Sequence, residues 1–289
     1  TDFHVSPTCS PTRSALLTGR HEFKNGVTHT ILERERLTPQ ATTLAQVLKA
    51  ADYTTGIFGK WHLGTMTTLR SDSNRGSAGN TSVYSPPWQH QYDFIFATEA
   101  KVPTFHPMRR TVNGLPEPTS FSDPNFYGTY YWTPPANPVN WPSAAEGTIV
   151  QLDDNLSGDD SRVIMDRVIP FIEESVAREQ PFLSVVWFHA PHLPVLTGEK
   201  HKALYSELSE DQQHYYGVIS ALDEQVGRLR NKLRSLGVAD NTLVFYTSVN
   251  GPETTSPQGK SFRGRAQGLT NGLKGRKRSL YEGGIRVPG

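Results

Sequence analysis

Apolar side chains recur every three or four residues in three separate parts of the chain, the spacing of one face of an α-helix. Thr43 and Gln46 have the spacing of a capping box, so one helix is predicted to begin there and to end near Asp52. The other two stripes cover Val163 to Val176 and Val218 to Leu236, the second followed by a helix-terminating glycine. Each segment predicts a helix that buries one side against a core.

Three short, almost wholly apolar runs predict buried strands: Tyr53 to Phe58, Phe182 to Phe188 and Leu243 to Tyr246. Strands that are apolar on both faces and alternate with helices are typical of a mainly parallel sheet covered by helices on both sides. The predicted fold class is therefore α/β. In such sheets, binding sites collect where the strands end at their carboxyl side.

The regular pattern is lost between about residues 65 and 150, within what we take to be a single partial domain of residues 1–289. The stretch 101–150 alone contains nine prolines and is rich in aromatic residues. Such a long excursion is either a covering layer packed by its own aromatic rings or a platform for sugars and aryl groups. The aromatic residues are Phe105, Phe121, Phe126, Tyr127, Tyr130, Tyr131, Trp132 and Trp141.

Composition excludes several classes of protein. Lys and Arg total 29 against 28 for Asp and Glu, a net charge of +1, so nothing indicates a nucleic-acid partner. The single cysteine, Cys9, excludes an intramolecular disulfide framework. No apolar run approaches the length of about eighteen residues that a transmembrane helix needs, and the polar start is no signal peptide. Both ends lie beside sequence motifs, so we expect truncation at each.

Cys9 opens a short predicted helix that has Pro11 in its first turn, Arg13 one turn on and Gly19 as its terminator. Taken alone, a lone cysteine is more often a buried packing residue than a chemical centre. At a helix N-terminus, however, the backbone amides and the helix dipole favour an anion. The segment therefore predicts a site for a negatively charged group.

The stretch from Cys9 to Arg20 resembles the signature of type I sulfatases, in which the cysteine is oxidised to formylglycine. Three further blocks resemble elements of the same family in the same order: Gly59 to Gly64, Phe188 to Pro194 and Leu273 to Pro288. The resemblance implies the fold of the alkaline phosphatase superfamily, with its smaller C-terminal domain missing here. It also implies hydrolysis of sulfate esters and modification of Cys9 by a formylglycine-generating enzyme.

The resemblance assigns roles to five further residues. Arg13 is expected to hold the formylglycine, Lys60 and Lys277 to grip the sulfate, His62 to orient the aldehyde hydrate and His192 to be a candidate acid near the leaving oxygen. A sulfate ester is negatively charged, and more charge reaches its leaving oxygen in the transition state, so such a site needs several fixed cations and donors. Scattered over the chain, these residues must converge on one pocket.

Some residues of these blocks have a different or an open interpretation. His189 is expected to be structural. The basic run around Lys277, which includes Arg276 and Arg278, either adds grip on a polyanionic substrate or is a solvated surface run.

The expected metal site of the family is incomplete. Family members hold a divalent ion, usually calcium, with paired aspartates upstream of the cysteine and an Asp-Asn pair late in the chain. Here Val249 occupies the late aspartate position, and Asn250 is the one recognisable ligand. Calcium requires six to eight oxygen ligands, several of them carboxylate. We therefore expect weak metal binding and little sulfatase activity from this chain.

Three alternatives remain open. The chain could be an inactive homologue or fragment that binds sulfate or a partner, which the missing carboxylates favour. It could be a phosphatase or phosphodiesterase that uses Ser10 or Thr12, although such enzymes need two metals. It could be a carbohydrate-binding module built around residues such as Trp132. The expected substrate is a sulfated small molecule or glycan, and family members are commonly periplasmic, secreted or lysosomal.

Overall fold

The computed structural model describes residues 2–30, 36–73, 75–110, 116–137, 143–254 and 265–289. In chain order, the elements are β1 (Phe3–His4), α1 (Cys9–Thr18), α2 (Glu22–Asn25), α3 (Leu44–Lys49), β2 (Thr54–Lys60), β3 (Phe94–Thr98), β4 (Tyr131–Thr133), β5 (Thr148–Ile149), α4 (Asp160–Ala177), β6 (Phe182–Trp187), α5 (Glu199–Lys202), α6 (Glu210–Ser235), α7 (Glu282–Ile285) and β7 (Arg286–Val287).

The central sheet has five strands in the order β5-β4-β3-β2-β6. Strands β2, β3 and β6 are parallel, whereas β4 and β5 join antiparallel at one side. A separate antiparallel pair, β1 with β7, brings the two ends of the described chain together. The predicted α/β class with a mainly parallel core is confirmed, whereas the parallel strand β3 and the antiparallel strands β4 and β5, all within residues 65–150, are additions that the sequence pattern did not predict.

Helices cover both faces of the sheet because side chains alternate along its strands. Ile57 and Ile95 belong to a buried cluster on the face that carries α1 and α3. Phe58 and Phe96, one residue further along each strand, belong to the opposite cluster, which is built largely by α4. The two clusters form the cores on either side of the sheet.

Local sequence signals define most of the helix ends. The predicted capping box is present: Thr43 accepts a hydrogen bond from the Gln46 amide, and the Gln46 side chain accepts one from the Thr43 amide. Helix α1 ends at Gly19 and α6 is followed by Gly237, both in the left-handed conformation that glycine adopts at low cost. Helix α3 ends at Lys49, slightly earlier than predicted.

The proline-rich excursion is part of the core rather than a detached layer. It supplies β3, β4 and β5, and Tyr131 and Trp132 are completely buried. Phe121 and Phe126 pack edge-on against one another and contact Tyr130. These contacts favour the packing interpretation of the aromatic residues over the platform interpretation. Trp141 lies outside the described residues.

The prediction of a buried strand at Leu243 to Tyr246 is wrong. The segment is not part of any sheet, and its side chains face solvent, with Leu243 94% exposed. The physical reason is the lack of a partner. Among the described residues, no strand pairs with this run, so it has no neighbour in a sheet to bury it.

Within the described ranges, no helix is both long and apolar enough to cross a bilayer.

Gly59 allows close packing at the functional end of β2, which gives a testable prediction. Its φ is +94°, and an added Cβ would lie 2.1 Å from the carbonyl oxygen of Trp187 on β6. Gly59→Ala is expected to lower the free energy of unfolding by roughly 2–4 kcal/mol because it adds both backbone strain and a clash. Chemical denaturation measures this loss.

Gly227→Ala is the matched control. Gly227 lies within α6, and an added Cβ there meets nothing within 4 Å. Alanine is the better helix former, so this variant is expected to gain roughly 0.5–1 kcal/mol. Equal effects of the two substitutions would contradict the close approach of β2 and β6 at Gly59.

Candidate active site

The six residues predicted from sequence belong to several segments that meet at one end of the sheet, where its parallel strands finish. Cys9 and Arg13 lie in the first turns of α1, and Lys60 is the last residue of β2. His62 follows β2, His192 follows β6, and Lys277 precedes α7. The predicted pocket therefore lies at the carboxyl ends of parallel strands, the usual place for a site in an α/β sheet.

Cys9 is enclosed by cations. The Nζ of Lys60 lies 3.7 Å from the Cys9 Sγ, and both side chains are almost completely buried. Arg13 donates a hydrogen bond to the Lys60 carbonyl oxygen, and its guanidinium lies 4.4 Å from the ring centroid of Trp187. This cation–π contact gives a buried charge a partner without placing a carboxylate in the pocket.

Ser10 orients His62, a contact that sequence reasoning missed. The Ser10 hydroxyl donates to the His62 carbonyl oxygen at 2.7 Å, so its oxygen is free to accept from His62 Nδ1 at 3.1 Å. Nδ1 then carries the proton and Nε2 keeps its lone pair. His62 itself has a left-handed φ of 57°, an uncommon conformation for this residue type that is often found at functional sites.

His192 and Lys277 form a pair on the other side of the pocket. His192 Nδ1 donates to the Leu193 carbonyl oxygen at 2.6 Å, which leaves Nε2 to accept from the Lys277 ammonium at 3.2 Å. Lys277 is also 3.4 Å from Glu253. The predicted acid, His192, is therefore arranged as a hydrogen-bond acceptor when no substrate is bound.

The charges in the pocket shift one another's ionisation. Burial raises the pKa of the Cys9 thiol, but the charges of Lys60, Lys277 and Arg13 lower it by a larger amount. The pKa of Cys9 is therefore about 6. Burial lowers the pKa of Lys60 to about 7, although the Cys9 thiolate opposes this change.

Both histidines are kept neutral by their surroundings. Burial, followed by the charge of Lys60, holds the pKa of His62 well below its ordinary value. Burial and the charge of Lys277 do the same for His192. Both neutral rings therefore keep an unprotonated Nε2 at neutral pH.

A second layer of buried polar residues fixes the end of β2. The amides of Trp61 and His62 donate to the carbonyl oxygens of Thr98 and Glu99, which extends the contact with β3. Glu99 is completely buried and forms an ion pair with Arg75, which comes from the excursion. The excursion thus holds the backbone of the predicted sulfate-gripping segment.

His189 lies outside the pocket, in agreement with its predicted structural role. Its Nδ1 lies 2.7 Å from Asp160 and its Nε2 lies 2.8 Å from Thr98, and all three residues are buried. The hydroxyl of Tyr131 donates to the same aspartate. This network joins α4, β3, β4 and the segment after β6, and it fixes the backbone three residues before His192.

The two arginines beside Lys277 are engaged within the protein. Arg278 pairs with both carboxylate oxygens of Glu253. Arg276 donates to the carbonyl oxygens of Glu253 and Gly268. These contacts favour a structural role for Arg276 and Arg278 over direct grip on a polyanion.

The whole length of the chain, residues 1–289, matches the family model described as Sulfatase. The chain belongs to the sulfatase family. Arylsulfatase G of Rattus norvegicus is 31% identical over 300 residues, which cover 99% of this chain and 51% of the rat protein. N-acetylgalactosamine-6-sulfatase of Homo sapiens is 29% identical and is covered to 48% of its length. The chain therefore spans about half the length of these sulfatases.

Solved structures agree with the fold. The crystal structure of Ps i-CgsB in complex with k-i-k-neocarrahexaose aligns with a TM-score of 0.69 at 22% identity, over 99% of this chain and 56% of the other. The PsFucS1 sulfatase from Pseudoalteromonas sp. aligns with a TM-score of 0.68 at 20% identity, over 100% of this chain and 52% of the other. At these identities the likeness shows the shared fold.

The described residues do not complete a calcium site of the sulfatase kind. The side-chain oxygen of Asn250 is buried and has no hydrogen-bond partner in this part of the chain, so it could serve as one ligand. Val249 offers only its carbonyl oxygen, which already accepts from the Thr12 hydroxyl at 2.8 Å. Within the described ranges, no three His, Cys, Asp or Glu side chains cluster closely enough to hold a metal ion. This chemistry does not fit an ion that needs several carboxylates.

The environment of Cys9 predicts an unusually acidic thiol in the unmodified protein. Because Cys9 is the single cysteine, thiolate absorbance measured against a Cys9→Ser blank reports on this group alone. The titration midpoint is expected at about 6. Lys60→Met removes the largest charge that stabilises the thiolate, so it is expected to raise the pKa by about 1–3.

Lys24→Met serves as the control because Lys24 is exposed on α2, outside the pocket. It is expected to leave the midpoint unchanged. A wild-type midpoint near the ordinary thiol value of 9.0 would contradict the placement of the three cations around Cys9.

Proposed function

We propose that the pocket binds the sulfate group of a sulfate ester and that Cys9, after conversion to formylglycine, supplies the nucleophile for hydrolysis. The observation that carries this proposal is the convergence of Arg13, Lys60 and Lys277 around Cys9, where they are almost completely buried. Membership of the sulfatase family and the named arylsulfatase relatives support it. In this structure the Cys9 sulfur stands where the carbon-bound oxygens of an aldehyde hydrate would lie.

A formylglycine hydrate at position 9 would supply covalent catalysis. One hydroxyl, giving up its proton, would displace the alcohol from sulfur, and the departing alcohol would take up a proton. The second hydroxyl would then lose its proton to re-form the aldehyde and release sulfate, and water would restore the hydrate. An unmodified cysteine or a serine lacks the second hydroxyl and so has no equivalent route for releasing sulfate.

The residues of this chain would divide the work by position. Lys60 and Lys277 neutralise the nonbridging sulfate oxygens, and Arg13 holds the hydrate. The unprotonated Nε2 of His62 is a candidate acceptor for a hydrate proton. His192 accepts a hydrogen bond from Lys277, so it can act as the acid only after a proton passes to it, and Lys277 is the donor in contact.

The geometry disfavours a phosphatase mechanism based on a hydroxyl nucleophile. The Ser10 hydroxyl donates to a carbonyl oxygen and accepts from the His62 ring. The Thr12 hydroxyl donates to backbone carbonyls, including that of Val249. Both side chains are almost completely buried, and a backbone carbonyl is too weak a base to activate either oxygen for attack on phosphorus.

A second function has a specific observation in its favour. Among the described residues, the pocket has its cations but lacks the carboxylates of a complete metal site. Val249 stands at the expected aspartate position, and Asn250 is the one recognisable ligand. Such a pocket could bind a sulfated small molecule or glycan without turning it over. One solved relative, Ps i-CgsB, holds a neocarrahexaose in its crystal structure, which supports a saccharide as the carrier of the sulfate.

We expect Cys9 of this chain to be converted to formylglycine, but the chain to hydrolyse sulfate esters only slowly. Coexpression with a formylglycine-generating enzyme is expected to yield a Cys9 peptide lighter than the thiol form in mass spectrometry. Sulfate release from an aryl sulfate is expected to remain below about 1 s⁻¹, the low end of ordinary kcat values, because the metal carboxylates are missing. Lys277→Met is expected to lower this residual rate by about 10²–10⁴.

Lys274→Met is the matched control because Lys274 lies in the same segment but is exposed and contacts the ring of Tyr281. It is expected to keep the residual rate. Release no faster than that of Cys9→Ser would argue against hydrolysis and favour the binding module. Ordinary turnover with calcium would instead overturn the expectation of an impaired site.

A further inference from the structure

The pocket around Cys9 contains more positive than negative charge. Arg13, Lys60 and Lys277 are 3%, 3% and 7% exposed. Among the described residues, one carboxylate, that of Glu253, lies within ion-pair distance of any of the three, 3.4 Å from Lys277. Glu253 is also paired with Arg278, so its charge is shared. Buried cations of this kind require an anion close by.

In the unmodified chain, Cys9 is the closest candidate for that anion. Its Sγ accepts the one hydrogen bond formed by the Lys60 Nζ within the described residues. The Nε of Arg13 is buried and has no hydrogen-bond partner in the same part of the chain. A group with several oxygen atoms could satisfy more of these donors than a single sulfur atom can.

We propose that the Cys9 thiolate is an internal counter-ion that competes with oxyanions for this pocket, and that loss of its charge opens the pocket to sulfate. The inference rests on the proposed function, since it concerns the same site. Conversion to a neutral aldehyde hydrate removes the negative charge and leaves the side chains of Arg13, Lys60 and Lys277 without it, so an incoming anion takes its place beside them. Modification thus has two effects on the site: it creates a nucleophile and it creates affinity for the substrate's anionic group.

The groups that act on the thiolate come from every neighbouring element. Arg13 lies on its own helix, Lys60 at the end of β2 and Lys277 before α7. His62 and His192 also line the pocket, and both have pKa values held well below the ordinary range, so they add no charge near neutral pH. Lowering the pH from about 7 to about 5 protonates Cys9, whose pKa is about 6, and also completes the protonation of Lys60, whose pKa is about 7. Because wild type and Cys9→Ser share Lys60, comparing the two at the same pH isolates the charge of Cys9.

The test compares sulfate binding in unmodified variants by isothermal titration calorimetry with EDTA present. Cys9→Ser removes the charge, whereas Cys9→Asp keeps a negative charge with similar side-chain size. At about pH 7, Cys9→Ser is expected to bind sulfate about tenfold or more tightly than wild type, and Cys9→Asp to bind no better than wild type. At about pH 5 the wild type is expected to approach Cys9→Ser, while Cys9→Asp stays weak.

Two controls locate the effect. Cys9→Ser combined with Lys60→Met is expected to lose most of the gain, because one of the three cations is removed. Cys9→Ser combined with Lys24→Met, which changes an exposed lysine, is expected to keep it. Circular dichroism on each variant verifies that the fold is retained, so a loss of binding is not a loss of structure.

The failures of the two proposals are distinguishable. Equal sulfate affinity of wild type, Cys9→Ser and Cys9→Asp at about pH 7 would overturn the counter-ion role while leaving the sulfate site intact. No sulfate binding by any variant at either pH would overturn both the counter-ion role and the proposed sulfate site. Tighter binding by Cys9→Asp than by Cys9→Ser would also refute the counter-ion role.

Discussion

The site depends on one electrostatic constraint: three cationic side chains are withheld from water around a single sulfur atom. Removing a charge from water is costly unless a counter-charge or a polarisable partner replaces the solvent. Arg13 lies over the ring of Trp187, Lys60 contacts the Cys9 sulfur, and Lys277 reaches Glu253. None of these contacts fully satisfies the cations, so the pocket keeps an excess of positive charge.

The surrounding fold supplies the rigidity that this arrangement needs. Lys60 is held in place because β2 lies between β3 and β6. The chain after Lys60 continues this pairing, since the amides of Trp61 and His62 donate to carbonyl oxygens at the end of β3. Gly59 allows β2 to approach Trp187 closely, and the Trp187 ring forms the cation–π contact with Arg13. The packing of the strands and the placement of the cations are therefore parts of the same structure.

Sequence predicted those parts of the fold that local signals determine. The capping box at Thr43, the helix that begins at Cys9 and the apolar strands β2 and β6 all depend on a few neighbouring residues. The site residues were predictable because four ordered blocks resemble one family. Each block also lies at the end of a strand or the start of a helix, where an α/β sheet gathers its site.

What sequence could not predict depends on contacts between distant segments. The run Leu243 to Tyr246 has the composition of a buried strand, but burial requires a pairing partner, which no local pattern specifies. The same holds for β3, β4 and β5, which join the sheet from within an aperiodic stretch. The link from Ser10 to His62 spans 52 positions and carries no motif of its own beyond a common serine.

The same electrostatic constraint keeps both pocket histidines neutral. A protonated His62 or His192 would add a fourth charge beside Lys60 and Lys277, and burial makes that addition unfavourable. A bound anion changes the balance, because a negative charge about 5 Å away stabilises an imidazolium by about 3 kcal/mol at an effective dielectric constant near 20. That energy corresponds to a rise of about 2 in the pKa of the ring. In the proposed mechanism, occupation of the site would therefore make the acid form of His192 more accessible, which would couple proton donation to the presence of the anion whose leaving group needs the proton.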